Sequence, residues 1–531
     1  MPSYLHRSCA AALFFLALAS GAAPAAPVAG GTLNFVVTPE PPSLLNLATS
    51  AVPVLKVSSK VTEGLLAYDF NFNPTPQLAT AWSISPDGKR YTFTLRRGVK
   101  WHDGKPFTSA DVAFSLELLK KVHPRGKSTF ANLAAVRTPD PYTAVLELSQ
   151  PAPYLIKAFA ASESPIVPRH IYQHGDALSN PNNIAPIGTG PFKFSKWVRG
   201  SYIEYLRNPD YWDKPRPYLD KIIVKFIPDA AGRAIAFENG SVDLGGDTPV
   251  PLGDLARLKT NPKLGLETSG YQFEAGPLRL EFNLDQPILG KLAVRQAIAH
   301  ALQREIIKSA VFYGYATVIY GPILPASPYY SDSAAPYRFD LKQANALLDQ
   351  AGYPRRAGGN RFTLTLDPLP IGDAPARTAN YIKSALARIG IGVTIRAQDL
   401  PAYLKRIYTD RQFDFAVNGM SNLFDPTVGV QRLYWSQGFR QGVPFTNASH
   451  FSHPEVDRLF ALAAVETDQA RRLAQFTQIQ QILARQLPDI NLVGPQQVTL
   501  FNKRVHDHTP TPNGLDGNFA TLYLTPMNLT P

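Results

Sequence analysis

The spacing of apolar positions changes several times along the chain, and each change predicts an element. An unbroken apolar stretch from Cys9 to Ala19 comes first, behind a short polar start holding His6 and Arg7, and a run of Ala, Gly and Pro follows it. At about eleven residues the stretch is well short of the roughly twenty that a membrane helix needs, so residues 1–26 read as a cleavable secretory signal. Beyond it, 91–96 alternates with period two as a half-buried strand does, 31–38, 143–149 and 201–207 also read as strands, and 222–227 reads as a buried one. The strand at 91–96 follows the turn Pro86-Asp87-Gly88, where glycine tolerates positive φ. Thr108 or Ser109 caps a helix over 110–122 that is apolar at Val112, Phe114, Leu116 and Leu119. Past about residue 270 helical spacing dominates: 291–310, a short helix capped by Asp340, then 376–389, 401–409, 455–465 and 468–487, each apolar on one face. Strands at 361–366, 393–397 and 413–417 lie between them. Such alternation predicts an α/β fold, with a boundary near Gly270.

Composition narrows the function classes. The 531 residues exceed what one core holds; at about 100–200 residues per domain they imply three or four lobes. Hydrophobic residues at 45% and aromatics at 11% exclude a disordered chain. The 53 basic against 41 acidic residues give a formal charge of +12. The basic residues are scattered, with no run of five like charges, so the excess reads as a solvated surface and not as a nucleic-acid patch. Cys9 is the single cysteine. It lies inside the apolar stretch and not after it, which argues against a lipoprotein. Its loss with the signal leaves no disulfide, thiolate nucleophile or thiolate metal ligand.

Motifs of an exported hydrolase, the competing class, are missing. The sequence has no Gly-x-Ser-x-Gly, Ser-x-x-Lys or His-Glu-x-x-His pattern and no phosphate loop. Gly188-Thr189-Gly190 runs into Pro191 and Phe192 and reads as a sharp bend, not a dinucleotide turn. The pairs His450/His453 and His506/His508 lack a third ligand nearby in sequence, so no metal or other cofactor is expected.

Several segments, in order, resemble a known family. They are Leu78-Ala79 through Trp82; Ser85-Pro86-Asp87-Gly88 with Tyr91-Thr92-Phe93; and Gly98-Val99-Lys100-Trp101-His102-Asp103-Gly104 with Pro106-Phe107-Thr108. Later come Gly188 to Phe192, Arg207-Asn208-Pro209-Asp210-Tyr211-Trp212, Val294-Arg295-Gln296-Ala297-Ile298 and Ala351-Gly352-Tyr353-Pro354. Together they resemble the periplasmic solute-binding proteins of ATP-driven (ABC) importers, in the family of dipeptide, oligopeptide and nickel receptors. The resemblance implies a type II periplasmic-binding-protein fold, with two α/β lobes, a hinge, and an extra subdomain inserted in lobe I. Carried onto this chain, lobe I takes 27–58, 188–270 and the return 494–531, the insert takes 59–187, and lobe II takes 271–493. It further implies a monomeric, non-enzymatic receptor in the periplasm that hands a solute to a membrane permease and its ATPase.

In such a fold the ligand sits between the lobes, at strand ends. The loop after the strand at 413–417 carries Asn418, Met420, Ser421, Asn422, Leu423, Phe424 and Asp425, which offer donors, acceptors, adaptable apolar surface and a charge. A packed strand-end loop is the alternative. Further candidates are Tyr271 and Phe273 near the crossing, Arg432, Tyr434 and Trp435 after the loop, and Glu40 in the first loop. Peptide-binding relatives place a tryptophan where this chain has Met420 and an aspartate near Leu423, and dipeptide receptors carry an arginine around 369–372, where none stands here. Peptide or peptide-like solutes lead; opine, sugar or metal-chelate ligands follow.

Overall fold

The computed structural model describes residues 27–273, 275–332 and 337–526; the signal expected over 1–26 lies outside them. Among the described residues no helix is long and apolar enough to cross a membrane. The first lobe is a seven-stranded sheet in the order Leu264–Glu267, Thr499–Asn502, Leu244–Gly245, Thr32–Val36, Lys221–Lys225, Tyr202–Arg207, Phe192–Val198. Its central strand, Thr32–Val36, is parallel to both neighbours. Period two explains its two cores. Leu33 and Phe35 pack with Ile222, Val224 and Tyr205 on one face, and Val36 joins Phe237, Val250 and Leu255 on the other.

The second lobe is a six-stranded sheet in the order Ala316–Val318, Asp489–Pro495, Leu278–Phe282, Phe415–Gly419, Phe362–Pro368, Ile391–Ile395. It too is covered on both faces, as parallel strands require: Leu280, Leu366 and Val417 on one side, Ala416 with Tyr403 and Phe476 on the other. The chain passes between the two sheets twice, from Glu267 to Leu278 and from Pro495 to Thr499. The two-lobed α/β architecture expected from the sequence is therefore present.

A four-stranded antiparallel sheet, Ala79–Ile84, Arg90–Leu95, Thr143–Leu148, Leu133–Asp140, forms a separate body with the helix Ser109–Val122 against it. Thr108 and Asp111 close a capping box at that helix start. The chain leaves the first lobe beside Val61 and returns beside Gly190, where the Gly190 N–H donates to the Val61 carbonyl at 2.8 Å and the Phe192 N–H to that of Lys60 at 3.1 Å. A Cβ on Gly188 would lie 1.9 Å from the Val61 carbonyl oxygen, and one on Gly190 would lie 2.6 Å from it. The bend expected from sequence is present at Thr189 and Gly190, and the two glycines also permit close contact of two backbones.

The helix expected over 291–310 is also divided. Leu292–Ala301 is regular, then Leu302 and Gln303 are extended before a short helical stretch, Arg304–Ile306, and a wider turn, Ile307–Val311. The Tyr381 hydroxyl takes the Gln303 N–H at 2.7 Å, supplying from outside the bond that the helix would have made.

Buried polar groups secure the junctions between these bodies. Glu63, fully buried where the inserted body joins the first lobe, accepts from Tyr211 Oη at 2.8 Å, Trp212 Nε1 at 3.0 Å and Thr189 Oγ1 at 2.9 Å. Burial pushes its carboxyl up to about 7 against the pull of these donors. Where the inserted body meets the second lobe, Tyr68 and Phe72 pack on Phe273, which packs on Phe424, with ring centroids 5.8–6.1 Å apart. Beside this seam Asp425 receives two guanidinium bonds from Arg472, at 2.7 and 2.8 Å, and its Oδ1 caps Pro426–Gly429 through the Thr427 N–H. Burial alone would raise the Asp425 carboxyl; the adjacent guanidinium holds it below its usual range.

Two outcomes follow. A carboxyl raised in the fold favours folding fully below its unfolded value near 4.5, and that contribution is lost as pH rises through about 7. Urea denaturation of Glu63→Gln and the parent at pH 5 and pH 8 is expected to show the variant gaining on the parent at the higher pH, by about 1–3 kcal/mol; an equal gap at both pH values would remove this role. Asp425→Ala strands a buried guanidinium and is expected to lower stability by about 3–5 kcal/mol, seen as a fall in the urea midpoint, and an unchanged midpoint would show the pair to be dispensable.

Candidate functional site

Ligands of α/β sheets bind outside the carboxyl ends of the strands. Here the loop after Leu244–Gly245 in the first lobe and the loop after Phe362–Pro368 in the second line one cavity of about 620 Å³, with Gln496 and Gln497 of the second crossing beside them. That volume lies within the range of small-molecule sites. Phe312 and Tyr313 close it from the second lobe, Val250 and Leu252 from the first.

Asp247 is the first-lobe charge in this cavity. Asp247 and Thr248 both hold left-handed backbone, φ 55° and 58°, a conformation that costs energy for non-glycine residues and persists where the surroundings fix it. The surroundings do so here. The Asp247 N–H donates to Tyr271 Oη at 3.0 Å, the Thr248 N–H to the Val498 carbonyl at 2.9 Å, and Thr248 Oγ1 to Gln497 Oε1 at 2.9 Å. The carboxylate meets Lys56 Nζ at 2.9 Å through Oδ2, and the same ammonium meets Asp516 at 3.0 Å. Burial by itself would lower Lys56; the two carboxylates outweigh it and hold the ammonium above its usual range.

Asp373 and Arg377 are the second-lobe charges lining the cavity, and Arg377 is the cation. It sits in the first turn of the helix Ala374–Ala387, donates to the Ala310 carbonyl, lies 5.0 Å from the Tyr313 ring centre and 3.5 Å from Asp373. Arg233, the other guanidinium lining the cavity, is buried and engaged with the carbonyls of Pro249, Ile227 and Pro228. Among the described residues no group of three His, Cys, Asp or Glu is placed to hold a metal. The arrangement can bind and orient a small charged solute.

None of the residues expected at the site from sequence lines this cavity. The polar members of the loop are engaged by the fold. Asn418 accepts from Arg279 at 2.9 Å and donates to Glu281 at 2.6 Å; Asn422 accepts the Leu324 N–H at 3.0 Å and donates to the Pro322 carbonyl at 2.8 Å. Ser421 Oγ accepts the Leu423 N–H at 3.1 Å, and Asp425 faces Arg472. Met420 packs in the second-lobe core, while Leu423 and Phe424 join Phe273 in the apolar seam. Arg432 Nε donates to the Gly429 carbonyl at 3.1 Å, Tyr434 Oη donates to Asp489 at 2.6 Å, and Trp435 packs at the edge of the same core. Glu40 accepts from Trp197 Nε1 at 2.9 Å and the Gly200 N–H at 3.0 Å. Tyr271 touches a cavity residue, through the Asp247 N–H.

Asp247 and Arg377 were not singled out in the sequence, although each carries a signal. Asp247 follows a strand in a run, Gly245-Gly246-Asp247-Thr248-Pro249, that reads as a turn at a strand end. A cation in the first turn of a helix opposes the helix dipole, so Arg377 calls for another reason to be there.

Comparison with known proteins identifies the family of this chain. A family model described as bacterial extracellular solute-binding proteins, family 5 (middle), matches residues 73–441. A Brucella ovis chain provisionally named an ABC transporter peptide-binding protein is 31% identical over 448 residues, covering 80% of each chain. Among solved structures, the periplasmic binding protein DppA of Helicobacter pylori in complex with the peptide STSA superposes with a TM-score of 0.78 at 26% identity, over 94% of this chain and 98% of that one. The binding protein AgaA of A. tumefaciens R10 in complex with agropinic acid superposes at 0.76 with 30% identity, over 93% and 99%. This chain belongs to the family 5 bacterial extracellular solute-binding proteins.

Proposed function

We propose that this chain is the periplasmic receptor of an ABC importer, capturing a peptide or peptide-like solute between its lobes and presenting it to a membrane permease and its ATPase. The observation that carries the reading is the cavity of about 620 Å³ lined by both lobes and by the second of the two chain crossings. A solute touching both walls favours the closed arrangement over the open one, and that shift in population is the signal a transporter reads. The structures of the DppA–peptide and AgaA–agropinic acid complexes, both alike over more than nine-tenths of this chain, support a small organic solute. AgaA, at 30% identity, also favours an opine as the second reading.

The receptor acts as a monomer without chemistry of its own and without a nucleic-acid partner. It reaches the periplasm through the signal at 1–26 and is not lipidated there, Cys9 being inside the apolar stretch. We divide it into lobe I (27–58, 188–270, 494–531), its insert (59–187) and lobe II (271–493).

Titration calorimetry of the purified chain against short peptides and opines, with chromatography of the ligand afterwards, tests the reading. Saturable binding with the ligand recovered unchanged is expected. Ligand at one hundred times Kd is also expected to add about 2.7 kcal/mol to stability, seen as a rise in Tm. Conversion of the bound compound would make the protein an enzyme and overturn the proposal.

A further inference from the structure

We propose that His102 is an acid-sensitive clip: as a neutral imidazole it fastens the inserted body to the first lobe, and a second ring proton releases it. The clip joins two bodies of the fold and works whatever solute the cavity takes, so its failure and that of the receptor are read apart.

His102 stands in a turn of the inserted body, where the Gly104 N–H donates back to the Trp101 carbonyl at 2.8 Å. Three bonds tie it to Gly188 and Gly190, on the stretch that returns the chain to the first lobe. Its backbone N–H donates to the Gly188 carbonyl at 2.9 Å, ring Nε2 lies 2.9 Å from the Gly190 carbonyl oxygen, and the Gly188 N–H points at ring Nδ1 at 3.4 Å. A carbonyl oxygen only accepts and an amide N–H only donates, so these partners fix the tautomer: Nε2 carries the proton and Nδ1 is bare. A second proton would go to Nδ1 and face the Gly188 N–H, donor against donor. The returning stretch has no room to retreat from it. On its far side the Gly190 N–H is bonded to the Val61 carbonyl at 2.8 Å, and Gly188 lies so close to that carbonyl that a Cβ would overlap it. The conflict is relieved by parting the turn from the returning stretch.

The charged neighbours of the ring are engaged elsewhere or add to the opposition. Asp103 gives Oδ2 to His170 Nε2 at 2.7 Å and Oδ1 to the Lys105 N–H at 3.2 Å. Lys193 brings a positive charge to the His102 carbonyl at 3.4 Å, and its own partner, Asp210, is 3.7 Å away and mostly exposed. Glu63, beyond the same stretch, accepts from Thr189, Tyr211 and Trp212. Lys60, whose carbonyl takes the Phe192 N–H, sends its ammonium to the carbonyls of Leu515 and Gly517. Burial outweighs the favourable pull of the Gly190 carbonyl and of Asp103, and the imidazole is brought down to about 4. A histidine lowered in the fold favours folding fully above its unfolded value near 6.5, and that contribution is lost as pH falls from there toward about 4. The inserted body also carries Tyr68 and Phe72, which pack on Phe273 at the seam with the second lobe. With the clip closed, that seam belongs to the first lobe; with it open, the inserted body no longer moves with the first lobe.

Nitrogen-15 NMR of the mature chain labelled at histidine reads the tautomer, the His102 signals being assigned by their loss in His102→Gln or His102→Asn. At pH 7 His102 is expected to be the Nε2–H tautomer and to stay neutral until about pH 4. The Nδ1–H tautomer, or an ordinary midpoint near 6.5, would overturn the proposal. His102→Gln keeps a donor and an acceptor but does not titrate. Urea denaturation is expected to show the unfolding constant of the parent rising at least tenfold against that of this variant between pH 7 and pH 4.5; a gap that stays the same would show that no such clip exists. Amide exchange at pH 4 places the release: peptides over 98–107 and 186–194 are expected to exchange at least tenfold faster in the parent than in His102→Gln. Equal exchange there, or acceleration spread evenly through all three bodies, would take the clip away from this joint.

Discussion

The Tyr271 hydroxyl lies where the two chain crossings and the cavity wall meet. It accepts the Asp247 N–H at 3.0 Å and shares a 2.6 Å hydrogen bond with Thr499 Oγ1, the first residue of the strand that returns the chain to the first lobe. Burial pushes the phenol up to about 12, so it keeps its proton, and in the bond between Tyr271 and Thr499 either hydroxyl can donate. One crossing is thereby tied to the other, and both are tied to the loop that presents the cavity carboxylate. A movement of the lobes that displaced Tyr271 would have to move Asp247 as well. The cavity and the hinge are one mechanical unit for that reason.

Charged residues make up only 18% of the chain, yet buried ones recur where its parts join. Lys56 with Asp516 fastens the C-terminal return to the first lobe, and Arg472 with Asp425 stands in the second lobe beside its seam with the inserted body. Arg279, fully buried within the second sheet, reaches Asp489 at 2.9 Å and Glu281 at 3.2 Å. Ion pairs of this kind contribute little net stability, since desolvation offsets most of their attraction. Their effect is on alternatives: a wrong docking of two bodies leaves a charge buried without its partner, which costs far more than a misplaced methyl group. In a molecule whose lobes must move and return to one arrangement, that penalty fixes the register of each junction.

The same distinction explains what was legible in the sequence. Strands and helices followed the apolar period closely, because Leu33 and Phe35, or Leu364 and Leu366, have one side to bury. The period failed where a distant side chain intervened, as at Gln303, whose N–H goes to Tyr381. It was equally silent on Gly188 and Gly190, whose need for a missing Cβ is set by the carbonyl of Val61. Sequence pattern likewise does not separate the two readings of the loop at 418–425. Asn418, Asn422 and Asp425 are the residue types a ligand site uses, but the same groups serve a buried loop that must satisfy its own backbone and guanidinium neighbours. Asp247 and Arg377 gain meaning only when two sheets are placed opposite each other, and local pattern does not encode that placement.

Two interlobe regions of different chemistry divide the work of closure. The seam between the inserted body and the second lobe is apolar, with Phe273, Leu423 and Phe424 against Tyr68 and Phe72, and Lys157 Nζ lies 4.9 Å from the Tyr329 ring centre at its edge. Its burial favours closure whatever the cavity holds, and being non-directional it selects no solute. The cavity carries charged groups from both lobes, Asp247 and Arg233 from the first and Asp373 and Arg377 from the second. A ligand can shift the open–closed equilibrium only by its difference in affinity for the two states. A ligand that moves the balance from one part in a hundred to ninety-nine supplies about 5.5 kcal/mol of such difference. The apolar seam and the charge-bearing cavity are built from different residues of the interlobe surface, so either can change in evolution without rebuilding the other.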